Sequence, residues 1–350
     1  MRIVDLRSDT VTMPTPAMRK AMYEAELGDD VYGEDPTVNR LEEAVAERLG
    51  KEAGLFVVSG TMGNLVSLLT HCPRGGELIL GDQAHIFYYE AGGISALGGG
   101  HVHTVPNLPN GMMDPAAVED AIRAPGNAHF PRTCLICLEN THNRCGGAVL
   151  SVEQMAEIKA VAERHGLPVH LDGARIWNAA VALGVAPSDL AAQVDTIQTC
   201  FSKGLAAPVG SAIVGSRAFI DEARRNRKIV GGGMRQAGVI AAAALVALDE
   251  MVDRLADDHA NARLLAERLA EIPGFDVDLA TVQSNIIRFG LTRSDVTAPQ
   301  VAAALTAEGI KVNASDAAHI RAVTHYGIER DDVLYALEVA ERVMQSVAVA

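Results

Sequence analysis

A lysine closes the apolar run Thr196-Ile197-Gln198-Thr199-Cys200-Phe201, in Ser202-Lys203-Gly204-Leu205. Burial penalises an ammonium, so a lysine there is informative. Two readings compete. Lys203 emerges into solvent as the strand ends, the ordinary place for a lysine, or it is a Schiff-base lysine whose neutral amine attacks a carbonyl. Gly204, Ala206, Ala207, Gly210 and Ser211 would let a flat ligand approach the backbone. Asp172 ends a second run, in His170-Leu171-Asp172-Gly173-Ala174-Arg175. It either caps the next helix or sits at the carboxyl end of a parallel strand, where α/β sheets bind ligands. A carboxylate there can hold a pyridine nitrogen protonated and make the ring an electron sink.

Ser59-Gly60-Thr61-Met62-Gly63-Asn64 is a turn able to place a phosphate on backbone N–H groups at a helix N-terminus. It matches neither standard nucleotide loop. Gly231-Gly232-Gly233-Met234-Arg235-Gln236 follows Arg224, Arg225, Arg227 and Lys228. That is a flexible loop after a basic helix end, or a loop presenting cations to a phosphate. His85 follows another predicted strand at the same rim and could stack its ring on a cofactor. Taken together, lysine, upstream aspartate, phosphate turn and histidine point to pyridoxal phosphate.

These residues need strand ends on one rim, and the patterning supplies them. Short apolar runs at 55–58, 77–80, 102–105, 133–138, 169–171, 196–201 and 211–214 alternate with helix-like segments at 36–49, 115–124, 152–165 and 235–255. Pro36 opens the first of those helices, and Ser151 with Gln154 forms a capping box for the third. The alternation predicts an α/β layer with a largely parallel sheet. One helical pattern runs from Gln236 to Glu271. Beyond it, strands at 275–279, 286–289 and 310–312 with helices at 298–308 and 331–346 predict a smaller α+β domain. The division is 1–250, including the N-terminal segment, and 251–350.

The length of 350 residues allows one large domain or two ordinary ones. With 49% hydrophobic and 21% charged residues the chain is a folded, soluble type. The balance of 44 acidic against 30 basic side chains argues against a nucleic acid or an anionic membrane as partner. No run is long and apolar enough for a membrane span, and the first residues lack signal-peptide blocks. The five scattered cysteines predict reduced thiols and a cytoplasmic protein. Cys134 and Cys137 read as core thiols rather than zinc ligands. His101 and His103 share a strand face with no evident carboxylate partner and read as surface residues. No metal-ligand cluster is apparent.

The chain resembles the L-threonine aldolases of low-specificity type, in the fold-type-I branch of pyridoxal-phosphate enzymes close to the β-eliminating lyases. The resemblance is carried by Leu6-Arg7-Ser8-Asp9-Thr10-Val11-Thr12, Asp29-Asp30-Val31-Tyr32-Gly33-Glu34-Asp35-Pro36, Leu138-Glu139-Asn140-Thr141-His142-Asn143, the Asp172 and Lys203 segments, Gly232 to Gly238, and Val323-Thr324-His325. It implies that Lys203 forms the Schiff base, that Asp172 pairs with the pyridine nitrogen and that His85 stacks on the ring with a part in proton transfer. Gly60 and Thr61 resemble the phosphate-turn residues. Lys228 and Arg235 match basic residues that reach a phosphate across a subunit interface. Ser8, Arg175 and Arg321 are similar to residues that hold the substrate carboxylate, and His129 to a second histidine near the substrate hydroxyl. Tyr32 and Glu90 also fall on motif positions. Two departures bear on substrate preference: Ala322 stands where a bulkier residue is expected, and Asn143-Arg144-Cys145-Gly146-Gly147 is a variable loop near the site.

The activity implied is retro-aldol cleavage of L-threonine, L-allo-threonine and related β-hydroxy-α-amino acids to glycine and an aldehyde, in a homotetramer whose sites are shared between subunits. The general base is His85, His129 or a water they hold. The rivals on the same fold are a phenylserine-preferring aldolase, a β-eliminating lyase and a transaminase. A cofactor-binding regulator would need a DNA-reading domain or basic face, and a nicotinamide enzyme a dinucleotide fingerprint.

Overall fold

The computed structural model describes residues 2–347. In chain order its strands are β1 (Val4–Asp5), β2 (Ala53–Val57), β3 (Gly76–Gly81), β4 (His101–Val105), β5 (Arg132–Glu139), β6 (Val169–Asp172), β7 (Thr196–Cys200), β8 (Ser211–Gly215), β9 (Phe275–Asp276), β10 (Ile286–Leu291), β11 (Ile310–Lys311), β12 (Asn313–Ala314) and β13 (His319–Val323). Seven of them form the main sheet in the order β2-β8-β7-β6-β5-β3-β4. All pairings from β7 to β4 are parallel. Only β8 runs against its two neighbours.

Sheets covered on both faces need strands apolar on both faces, and every residue of β3 and of β6 is buried. Helices supply the cover. Pro36 begins one of them with Asp35 as its cap, and Ser151 and Gln154 make the expected reciprocal cap of another. The helical pattern from Gln236 to Glu271 is two helices, Gly238–Glu250 and Leu255–Leu269. The first packs in the main core over Ala241 to Leu248; the second begins in that core at Leu255 and passes into a second one from Ala262 to Leu269.

That second core lies under the antiparallel sheet β12-β13-β10-β9. Of the run at 275–279, only Phe275–Asp276 is strand; a 3-10 turn follows over Leu279–Thr281. Val4 and Leu6 are buried in this core rather than in that of the large domain where the sequence division places them. The backbone follows, since β1 pairs in parallel with β11, Val4 opposite Ile310.

Two sequence expectations are overturned here. Cys72 and Cys134 are joined as a disulfide, so five reduced thiols is incorrect, and with it the argument from the cysteines to the cytoplasm. Cys72 caps the end of the helix Gly60–His71, and Cys134 is the extra residue of a bulge between β3 and β5. His101 and His103 do have a carboxylate partner. Glu77, fully buried on β3, lies 3.5 Å from one ring and 3.6 Å from the other, and Arg123 completes the cluster at 3.1 Å. The partner is a cross-strand neighbour, Glu77 opposite His101, which spacing along a single strand does not reveal.

Candidate active site

The carboxyl ends of β5, β6 and β7 stand side by side, with Glu139 opposite Asp172 and Asp172 opposite Gln198. Lys203 follows β7 immediately. The helix Gly60–His71 starts after β2 at the same rim, with Ser59 as its N-cap. Its inner face carries Gly60, Gly63, Asn64 and His71, spaced to form one stripe. Glycine is required on that stripe: a Cβ on Gly63 would meet the Gln198 side chain at 2.5 Å.

Between these elements lies a cavity of about 200 Å³, lined by Ser59, Gly60, Thr61, His85, Asp172 and Lys203 among others. A wider cleft of about 720 Å³ adjoins it, bordered by Ser8, Tyr89, Arg144, Arg175 and Arg321. His85 and Lys203 border both spaces.

The floor of the small cavity is a hydrogen-bonded carboxylate pair. Asn64 donates from its amide to Asp172 Oδ2 at 3.0 Å and to Glu90 Oε1 at 2.7 Å. Glu90 also holds His85 Nδ1 at 3.0 Å. The backbone N–H of His85 donates to Glu139 at 2.7 Å, fixing the ring's position at the rim. Burial alone would pull the His85 pKa down, but the hydrogen bond to Glu90 and the Asp172 carboxylate carry it above the ordinary histidine value. His85, Glu90 and Asp172 present ligand atoms within 4.8 Å of one another, a grouping that sequence reading did not find. The Asn64 amide already engages both carboxylates, and we read the group as the floor of the cavity.

The cleft is strongly cationic. Arg175 is held in place at the cleft: its Nε and Nη2 donate to Asp9 at 2.7 and 2.6 Å, with both residues buried, and its Nη1 has no hydrogen-bond partner among the described residues. Spacing gives Asp9 no evident role, because the side chain it binds is 166 residues away. Against burial, the Arg175 charge and hydrogen bonds hold the Asp9 carboxyl well below the usual range. Arg321 makes no ion pair among the described residues. Its Nε is buried without a partner, and Nη1 donates only to the Arg7 carbonyl at 3.2 Å. Burial and the neighbouring Arg175 guanidinium pull its pKa down to about 10. An unneutralised guanidinium facing a cleft is a receptor for an anion.

The residues fit pyridoxal phosphate. A Cβ on Gly60 would meet Cys200 Sγ at 2.9 Å, so the turn is kept bare at the cavity wall. The first N–H groups of a helix have no partner within it; Ser59 takes that of Met62, leaving the turn at Gly60 and Thr61 to an anion. Gln198 Oε1 is buried at the cavity without a partner. A single amine, Lys203, and a carboxylate, Asp172, border the same small space.

Four expected residues are not brought to this site within one chain. His129 is exposed in the loop before β5, whereas the site is at the far end of that strand. Eight residues of strand separate the two ends by roughly 23 Å. Tyr32, Lys228 and Arg235 are exposed and line neither space. The structure interlocks their two segments. Arg227, buried at the end of one helix, donates to Asp30 at 2.7 Å; Arg235 donates to Asp29 at 3.0 Å; and the Gly238 N–H donates to Asp35 at 2.9 Å.

The β-eliminating lyase family model matches residues 5–291. The chain is 52% identical over 347 residues to low-specificity L-threonine aldolase 1 of Arabidopsis thaliana, covering 98% of this chain and 97% of that protein. It is 43% identical over 331 residues to the low specificity L-threonine aldolase of Escherichia coli K12, covering 95% and 96%. Among solved structures, a Leishmania major threonine aldolase superposes with a TM-score of 0.82 at 21% identity, covering 96% of this chain and 98% of that one.

Proposed function

The chain belongs to the β-eliminating lyase family and, within it, to the low-specificity L-threonine aldolases, and from that premise we propose how its residues perform the cleavage. It is a carbon–carbon lyase of the fold-type-I pyridoxal-phosphate class. It converts L-threonine and related β-hydroxy-α-amino acids to glycine and an aldehyde. The observation that carries the reading is a single amine, Lys203, facing the Asp172 carboxylate at a strand end, in a cavity next to the cleft that holds Arg321.

Lys203 would hold the cofactor, Asp172 would face its ring nitrogen, and Gly60 and Thr61 would receive its phosphate. Bound there, pyridoxal phosphate supplies a carbonyl for an amino group and a ring that takes up electron density when a bond at Cα breaks. Ser8, Arg321 and Arg175 grip the substrate carboxylate from the cleft, Arg175 being held in position by Asp9. That grip fixes which bond at Cα stands across the ring. His85 takes the proton of the β-hydroxyl, and Glu90 holds its Nδ1 so that Nε2 is the working nitrogen. A positioned base contributes typically about 10²–10⁴-fold.

The direct test is conversion of both L-threonine diastereomers and phenylserine, following glycine and aldehyde together. Ammonia and a keto acid instead would identify a β-eliminating enzyme. A second test concerns His85. Its base form must be unprotonated, so kcat/KM falls as pH drops through a pKa above the ordinary histidine value. Glu90→Gln removes the hydrogen-bonded carboxylate that contributes most to raising that pKa, while burial remains. The acid limb should therefore move to lower pH; an unmoved limb would remove His85 from the role.

Tyr32, Lys228, Arg235 and His129 act on the site of another copy, in a homo-oligomer we take to be a tetramer. Their absence from the lining of the chain's own site supports this, as do exposed apolar side chains at Tyr23, Tyr32 and Ile229. Lys203→Ala and Arg235→Ala chains should each be nearly inactive. Mixed oligomers should regain activity, since some sites then draw intact residues from both chains. Inert mixtures, with hybrid oligomers demonstrated by native mass spectrometry, would sink the shared site.

A further inference from the structure

Behind Asp172 lies a chain of polar groups that the cleavage reaction does not use. His170 Nε2 is 3.1 Å from Asn64 Oδ1. His170 Nδ1 is 2.9 Å from Thr196 Oγ, and Thr196 Oγ is 2.8 Å from His71 Nε2. Asn64, His170 and Thr196 are buried, and the His71 ring stacks on Phe219 at 4.6 Å. Asn64 and His71 lie on one face of the helix Gly60–His71, two turns apart and about 10 Å along the axis.

The protons in this chain can be assigned without seeing them. Asn64 faces two carboxylates, which only accept, so its NH₂ end must point at them and its oxygen at His170. His170 therefore donates from Nε2. Burial holds the His170 and His71 pKa values down, to about 3 and about 4, so both rings are neutral near pH 7. A neutral His170 protonated at Nε2 has a bare Nδ1, which must accept from the Thr196 hydroxyl. That hydroxyl, its one proton spent, must accept from His71 Nε2–H. Every donor thus points the same way, toward the carboxylates. Hydrogen bonds aligned in series polarise one another.

We propose that His71, Thr196, His170 and Asn64 form a one-way hydrogen-bond relay that acts on Asp172 from behind, as positioning residues for the cofactor's ring nitrogen. The relay delivers partial positive charge to Asp172 Oδ2 and fixes its orientation, and the same Asn64 amide ties Glu90, and through it His85, to the same framework. The inference rests on the assignment of Asp172 above.

The test has two readouts, and the first does not depend on that assignment. In cofactor-free protein selectively labelled with ¹⁵N-histidine, His170 and His71 should each be protonated at Nε2 and bare at Nδ1. Protonation of His170 at Nδ1 overturns the relay outright. The second readout is cofactor affinity, from absorbance titration of the stripped protein with pyridoxal phosphate. Thr196→Val keeps the side-chain shape and removes the hydroxyl. The dissociation constant should rise about 3- to 10-fold, kcat should fall, and KM for the amino acid should hold. Thr196→Ser should restore all three. An unchanged affinity in Thr196→Val, or a loss that serine does not rescue, overturns the proposal. A wild-type protein that binds no pyridoxal phosphate overturns the functional reading instead, with the histidine signals still to be read.

Discussion

Lys203→Ala should lower glycine formation from threonine by roughly 10³-fold or more, with the fold intact. No other amine borders the small cavity among the described residues, so nothing replaces it at that position. The side chain follows β7 at the rim and makes no ion pair among the described residues, so its loss leaves no buried charge behind. Borohydride treatment of the loaded wild type should fix the cofactor's mass on the peptide containing residue 203, and the variant should carry none. A variant that retains a tenth of the activity, or a label found on another peptide, would mean that the amine has been misplaced.

Asp9→Ala should be the most destabilising single change in the cleft. It removes the bidentate partner of Arg175 while leaving the guanidinium buried at 5% exposure. Breaking a buried pair from one side costs about 3–5 kcal/mol, because the surviving charge has no compensation. Here the cost is compounded: Lys203 and Arg321 also bear on Asp9, so three cations would face one another without their shared anion. Denaturant melts should show the loss near pH 7. The sign with pH follows from the depressed carboxyl. Its stabilisation is complete above the unfolded carboxylate range and fades as pH falls through the folded value, so the gap between wild type and variant should narrow on acidification. A loss below about 1 kcal/mol at neutral pH would show that Arg175 finds another partner.

Lys203, Asp172 and Gly60 were legible because strand ends can be read from apolar runs, and an α/β sheet places ligands at those ends. The central sheet was legible for the same reason. Arg175 was legible as a cation but not as an engaged one, because its anion is far away in the chain. Glu77 escaped notice because adjacency between β3 and β4 is a property of pairing, not of spacing. Asn64 closes the glycine turn that begins at Ser59, yet its meaning depends on His170 and Thr196, which read as ordinary buried strand residues. The pairing of Cys72 with Cys134 depends on a bulge, which no periodicity announces. The helix break near residue 251 was not legible, because apolar spacing continues through it into the main core at Leu255.

The pairing of Val4 with Ile310 has a consequence for biosynthesis. A ribosome delivers the amino end of this chain long before its eventual neighbour exists, and nascent domains ordinarily fold in order of emergence. Ser8, just beyond that short strand, therefore waits for its neighbouring backbone through most of translation, whereas Asp9 can meet Arg175 sooner. Assembly of the pocket becomes a late event, completed only after some three hundred further residues have been made, and truncated products should lack it altogether.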